Sequence, residues 1–302
     1  MEYHATSIEV KSFDLKHTFE SAQPLTFHGD YNAQLNSLIY ASKKNLISLS
    51  YTGSRKRGEL VMLSEDLGFA SNEVIRRFRL EDDMRYIYRK INTDKFIDLA
   101  IKRYEGMRLT LNDPWETTTC YIISQFNNVK RIRLIIKNMI NTFGDEIRDK
   151  NDNVVGKSFP RSEVLINASI KELMKCGTGF RAKYIKSASE YCTNNLDLNK
   201  LNPNKYEKLK EELLEIDGVG DKVADCIILM GYGNLNAFPI DVWVKRTVEN
   251  VYFKGKEKKI RDIHKFADDT WGKYQGYAQQ YLFWQFRQME KEERSIYERI
   301  KQ

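Results

Sequence analysis

Between Leu213 and Trp243 the chain reads LLEIDGVGDKVADCIILMGYGNLNAFPIDVW, and two residues in it are of types that do covalent chemistry at carbon. Lys222 stands two places beyond the Gly218-Val219-Gly220 turn, and Asp241 closes the unit. A lysine in the first turn of a helix meets the positive end of the helix dipole. That end and any desolvation disfavour an ammonium ion, which is how an amine becomes able to attack carbon near neutral pH. The same lysine also suits a solvated or phosphate-contacting role. Asp241 follows AFPI and precedes the helical VWVKRTVEN, so its simplest role is a helix N-cap. A capping carboxylate that faces Lys222 can in addition stabilise a developing cation.

These two residues need a scaffold. Residues 204–231 read as helix, tight turn, helix: NKYEKLKEELLE, then IDGVG, then DKVADCIILMG. Two glycines two apart let the turn close and let a ligand approach the backbone. The unpaired amides of residues 218–221, at the start of the next helix, favour a phosphate-sized anion. Such a turn also serves as a plain link between helices. Further on, YAQQYLFWQFRQ sets Gln279 and Phe283 four apart on one helix face, a spacing that core packing shares.

Taken together, LLEIDGVGDKVADCIILM and AFPIDVW resemble the helix-hairpin-helix and Gly/Pro/Asp signature of the base-excision DNA glycosylases, in particular the 8-oxoguanine branch. The resemblance implies an N-glycosylase with lyase activity that flips a damaged base from double-stranded DNA, because a stacked base is out of reach. Lys222 matches the nucleophile that attacks the sugar C1′, expels the base and forms a Schiff base before β-elimination nicks the strand. Asp241 matches the carboxylate that stabilises the transition state and assists proton transfer. Cys226 and Phe283 match the groups on either face of the extruded base, and Gln279 the group on its Watson–Crick edge.

Other segments extend the resemblance. GTGFRAKYI places Phe180 as the aromatic wedge and Arg181 as the arginine that reaches the orphaned cytosine. ISQFNNVKRI matches the strand-separating segment at Asn127, Asn128 and Arg131, but Phe126 stands where an asparagine usually contacts the cytosine. The opposite-base preference is therefore open. FDLKHTFESAQPLTF resembles a strand carrying Ser-Gly-Gln, read here as Ser21-Ala22-Gln23. The Ala22 carbonyl is expected to accept the extra proton on N7 of oxidised guanine, and its Cβ to crowd the pocket. Gly218, Val219 and Gly220 match the phosphate-gripping turn. Trp243 replaces a frequent histidine near the 5′ phosphate, and Asp217, in place of a proline, is expected to face solvent.

The remainder of the chain is read as the frame. NLISLSYTG and GELVMLS are strand-like runs on either side of the TGSRKRG turn, within a strand-leaning stretch from Ser12 to about Ala70. Helical periodicity then appears in NEVIRRF, MRYIYRKI and DKFIDLAIKRY. Asp113-Pro114 marks a helix start. Helices are expected over 114–126, 129–143, 169–175, 181–193, 204–215, 221–231, 242–252, 259–271 and 274–298, with RDKNDNVVGKSFP as an exposed loop. The fold class is α+β: an amino-terminal domain with an antiparallel sheet over 1–110, and an all-α glycosylase domain over 111–302.

The 302 residues suffice for two cores, and the net charge of +7 agrees with a polyanionic partner. Cys120, Cys176, Cys192 and Cys226 form no CxxC pair, so no zinc or iron–sulfur site is signalled. No cofactor is expected beyond a cation at the hairpin carbonyls. No signal peptide or membrane span is evident, and an intracellular monomer, in cytoplasm, nucleoid or nucleus, is expected. Two rival readings are a related enzyme for another damaged purine, such as an alkylated one, and a non-catalytic DNA clamp.

Overall fold

The computed structural model describes residues 3–289. Strands β1 (His4–Lys11), β2 (Asp30–Asn32), β3 (Ser37–Ser42), β4 (Asn45–Ser54) and β5 (Arg57–Ser64) form one antiparallel sheet in the order β1-β5-β4-β3-β2. The turn inside TGSRKRG closes the β4–β5 hairpin, pairing Ser54 with Arg57 and Gly53 with Gly58. Gly53 sits at φ +122°, and a Cβ there would lie 2.5 Å from the Gly58 Cα, so glycine is required. Alternation along β4 buries Ile47, Leu49 and Tyr51 in a cluster with Leu60, Met62, Val74 and Phe78. The helix Leu67–Arg77, capped by Asp66, supplies Val74 to that cluster.

A second and larger apolar cluster begins at Met84 and runs to Met289, with Phe27 joined to it from the amino-terminal part. The helices Met84–Ile91 and Lys95–Arg103 belong to this cluster. The two cores thus part between Phe78 and Met84. Sequence-encoded caps start most of these helices: Asp83, Asp94, Asp113, Asn128 and Asp241 each accept a hydrogen bond from the first turn, and Ser169 with Glu172 forms a capping box.

The structure departs from the sequence-based expectations in three places. FDLKHTFESAQPLTF is not a strand: Asp14 caps a helix over Leu15–Glu20, and Pro24 opens another over Pro24–His28. RDKNDNVVGKSFP is not an open loop, and the carboxyl-terminal part is not purely helical. There β6 (Glu146–Arg148) pairs with β7 (Val154–Lys157), and Asp149 closes their turn by accepting from the amides of Asn151 and Asn153. The last described helix is Gln275–Gln288, so 290–298 of the expected terminal helix lie outside the described residues. Among the described residues no helix is long and apolar enough to cross a membrane.

A buried ionic seam joins the sheet to the helices. Arg77, 1% exposed, donates to Glu73 at 2.7 Å, to Glu116 at 3.2 Å and to Asn112 at 3.1 Å, and it stacks on Tyr40. His28 adds a 2.7 Å bond to Glu116. Burial alone would raise the Glu116 carboxyl, but His28 and then Arg77 outweigh it and hold it at about 2.

Candidate active site

The hairpin is built from Tyr206–Leu214 and Asp221–Gly231, which bury Leu209, Leu213, Val219 and Val223 against each other and the core. Gly218 takes φ +86°, and a Cβ there would lie 2.8 Å from the Tyr184 side chain, whereas Gly220 opens onto free space. The turn therefore presents backbone to a ligand at Gly220 while Gly218 lets it nest on Tyr184. Asp217 is exposed and accepts from the Ser187 hydroxyl. The Gly218 carbonyl already accepts from the Gln125 side chain at 2.8 Å.

From Val223 to Gly231 the second hairpin helix is wholly buried. Half-buried Lys222 thus stands at the mouth of a buried rod whose one charged side chain, Asp225, is met by Tyr206 and Lys210. The Lys222 Nζ lies 5.2 Å from the centre of the Tyr121 ring, a cation–π contact, and Cys226 follows one turn further along the same helix. Burial pushes the Cys226 thiol up to about 11, with Lys222 pulling the other way, so this sulfur is a neutral, soft packing surface rather than a thiolate.

Lys222, Cys226, Asp241, Gln279, Phe283, Ala22 and Trp243 line one cleft of about 500 Å³, a volume typical of small-molecule sites. Asp241 caps its helix through a 2.7 Å bond from the Val244 amide and still lines the cleft, so capping does not withdraw it from that space. Gln279 is 6% exposed and donates Nε2 to the Pro239 carbonyl at 3.1 Å, which fixes the sense of its amide. Its Oε1 is buried with no partner. A buried, unpaired acceptor on a cleft wall is costly unless a ligand's N–H completes it. Phe283, 8% exposed, lies one turn on from Gln279, with Arg287 over its ring.

Ala22 adopts φ +61° at the bend between the two amino-terminal helices. The bend is pinned from below by fully buried Gln23, which donates to the Arg108 carbonyl at 2.9 Å and accepts from the Thr110 amide at 2.7 Å. It is pinned from the side by Gln280, which donates to the Ser21 carbonyl at 2.8 Å. Trp243 packs near Phe286, with Arg246 over its indole.

Asn127 and Asn128 also line the cleft. Asn127 donates to the Ile123 carbonyl, and Asn128 caps the helix Val129–Phe143 by accepting from the amide of Arg131, whose side chain is exposed. Phe180 is 54% exposed. Arg181 departs from expectation: it is 4% exposed and its guanidinium donates to the carbonyls of Gln125, Phe126 and Thr178. It faces inward because those carbonyls offer it a complete set of acceptors in a buried place. Tyr121, Gln280 and Gln125 have no motif of their own in the sequence. Tyr121 lies in PWETTTCYIIS, a helix buried on nearly all sides and so without a periodic face to single it out.

Relatives bear on this arrangement. The chain is 29% identical to a probable N-glycosylase/DNA lyase of Methanothermobacter thermautotrophicus over 68% of this chain and 71% of that protein. It superposes on the structure of MBOgg1 in complex with a low-affinity DNA ligand with TM-score 0.84 and 32% identity, covering 96% of this chain and 99% of the other. It superposes on a Clostridium acetobutylicum 8-oxoguanine glycosylase/lyase, solved with double-stranded DNA containing cytosine opposite 8-oxoguanine, with TM-score 0.79 and 26% identity, covering 95% and 99%. Residues 119–273, just over half of the chain, match the HhH-GPD superfamily of base excision DNA repair proteins, and the chain belongs to that family.

Proposed function

We infer that this protein is a DNA glycosylase with associated lyase activity that excises oxidised guanine. The observation that carries the reading is the shared cleft: an amine, a carboxylate, a soft sulfur, an aromatic face and an unpaired buried acceptor converge on one base-sized space. The extruded base lies between Cys226 and Phe283, and its Watson–Crick edge donates to Gln279 Oε1. The Lys222 amine attacks C1′ as the C1′–N9 bond breaks and the base leaves with its electron pair, to be protonated. Asp241 stabilises the sugar's developing positive charge and takes part in proton transfer. The resulting N,O-acetal opens to a Schiff base as the C1′–O4′ bond breaks and O4′ takes the amine's proton; loss of a C2′ proton then expels the 3′ phosphate as the C3′–O bond breaks, nicking the strand.

A second reading, excision of another damaged purine such as an alkylated one, is favoured by the Ala22 Cβ on the cleft wall. Lys222 weighs against it, since a water-using mechanism needs no amine. Double-stranded DNA carrying the lesion is the partner. The protein is proposed to act as an intracellular monomer without a prosthetic group.

The test is borohydride trapping on duplexes containing 8-oxoguanine or an alkylated purine. A covalent adduct on 8-oxoguanine that is abolished in Lys222→Gln, with Asp241→Asn slowing its formation by roughly a hundredfold or more, supports the reading. Base release from the alkylated duplex alone would replace the first reading with the second. Binding without any base release would leave only a DNA clamp.

A further inference from the structure

Phe126 is 94% exposed and holds a left-handed backbone at φ +49°. That conformation strains a non-glycine residue, and a side chain so exposed gains almost nothing in the free protein to offset it. The position is nonetheless firmly built. Buried Arg181 donates to the carbonyls of both Gln125 and Phe126, and the Gln125 side chain reaches the hairpin at Gly218. The same guanidinium lies 4.4 Å from the ring centre of Phe180, which is braced edge-on by Tyr184. Arg181 is thus the common mount of two exposed aromatic rings. Phe126 stands between Ser124 and Asn127, both on the cleft wall, and the neighbouring Lys130, Arg131 and Lys183 are exposed cations suited to phosphates.

Resting on the glycosylase reading, we propose that Phe126 is a second intercalating side chain, paired with Phe180, and that the base opposite the extruded nucleotide is held by stacking on Phe126 instead of being read by hydrogen bonds. Every base has a π-face, so stacking tolerates any base, whereas hydrogen-bonding groups distinguish them. Arg181 has committed its donors to backbone carbonyls and acts as a positioning residue. The enzyme therefore accepts any of the four bases opposite the lesion.

The experiment measures affinity for duplexes holding a tetrahydrofuran abasic analogue opposite each of the four bases, which needs no chemistry at Lys222. Wild-type affinities are expected to agree within about threefold. Phe126→Ala and Phe126→Leu are expected to weaken all four alike by about ten- to a hundredfold, and Phe126→Tyr to restore binding, in line with base–aromatic stacking. Because Phe126 is exposed, these variants keep the fold, which melting curves verify. A preference above tenfold for one opposite base, or wild-type binding by Phe126→Ala, overturns the proposal. Parallel excision assays on 8-oxoguanine report separately on the glycosylase reading, whose failure leaves the binding pattern interpretable.

Discussion

Gln280 donates its amide to the carbonyl of Ser21 at 2.8 Å, tying the last described helix to a bend near the start of the chain. Both Gln280 and the next residue of the bend, Ala22, line the cleft, so the bond sets one wall of the base pocket relative to the helix that carries Gln279 and Phe283. Gln280→Leu leaves the Ser21 carbonyl unpaired in a buried place. It is expected to lower stability by about 1–3 kcal/mol and to slow single-turnover excision by roughly ten- to a hundredfold through misplacement of the wall. Denaturant melts and quench-flow base release would check the two effects separately.

Ala22 itself offers a test of backbone strain. At φ +61° the Cβ costs about 1 kcal/mol, and glycine would relieve this while adding a similar entropic penalty in the unfolded chain. Ala22→Gly is expected to shift Tm by no more than about 3 °C. Ala22→Val, with its branched Cβ, is expected to lower it clearly more. Differential scanning calorimetry on the pair decides between strain at this bend and simple loss of packing.

The ionic seam makes an acid-stability prediction. The Glu116 carboxyl is held at about 2, below its ordinary 4.5, so its contribution is present above 4.5 and is lost as pH falls from 4.5 towards 2. Glu116→Gln leaves Arg77 without one of its two buried carboxylate partners and is expected to destabilise the protein by about 3–5 kcal/mol at neutral pH. The variant should also lose less stability than wild type between pH 4.5 and 2. Urea midpoints across that range would show both.

Cys226 gives the alkaline counterpart. Burial raises its thiol to about 11 from 9.0, so the folded state keeps the proton while the unfolded chain loses it. Its stabilising share is intact below pH 9 and is lost as pH rises towards 11. Cys226→Ala is expected to flatten the decline in Tm over that interval. Wild-type Cys226 is expected to alkylate far more slowly than a free thiol at pH 8, measured by iodoacetamide labelling and mass spectrometry.

What the sequence could reveal follows from how local each signal is. Lys222, Gly218, Gly220 and Asp241 lie in one hairpin and the cap beyond it, so the family signature that marks them is local, and Asp113 before Pro114 marks a helix start in the same way. The two short helices around Ala22 are expected as a strand only through the likeness of FDLKHTFESAQPLTF to a family strand, and at six and five residues each is too short to show a helical period. The inward turn of Arg181 depends on carbonyls 55 and 56 residues away, and the contact of Tyr121 with Lys222 crosses two buried helices. Such pairings exist only once the helices are packed, and no local pattern encodes them.

Gln125 uses its side chain on the hairpin carbonyl of Gly218 and its own carbonyl on Arg181, the mount of the exposed aromatic rings. Grip and probe are therefore parts of one stiff reading head, with no slack loop between them. While such a protein diffuses along a duplex, each phosphate it seizes brings a trial of the stack at a constant offset from that phosphate.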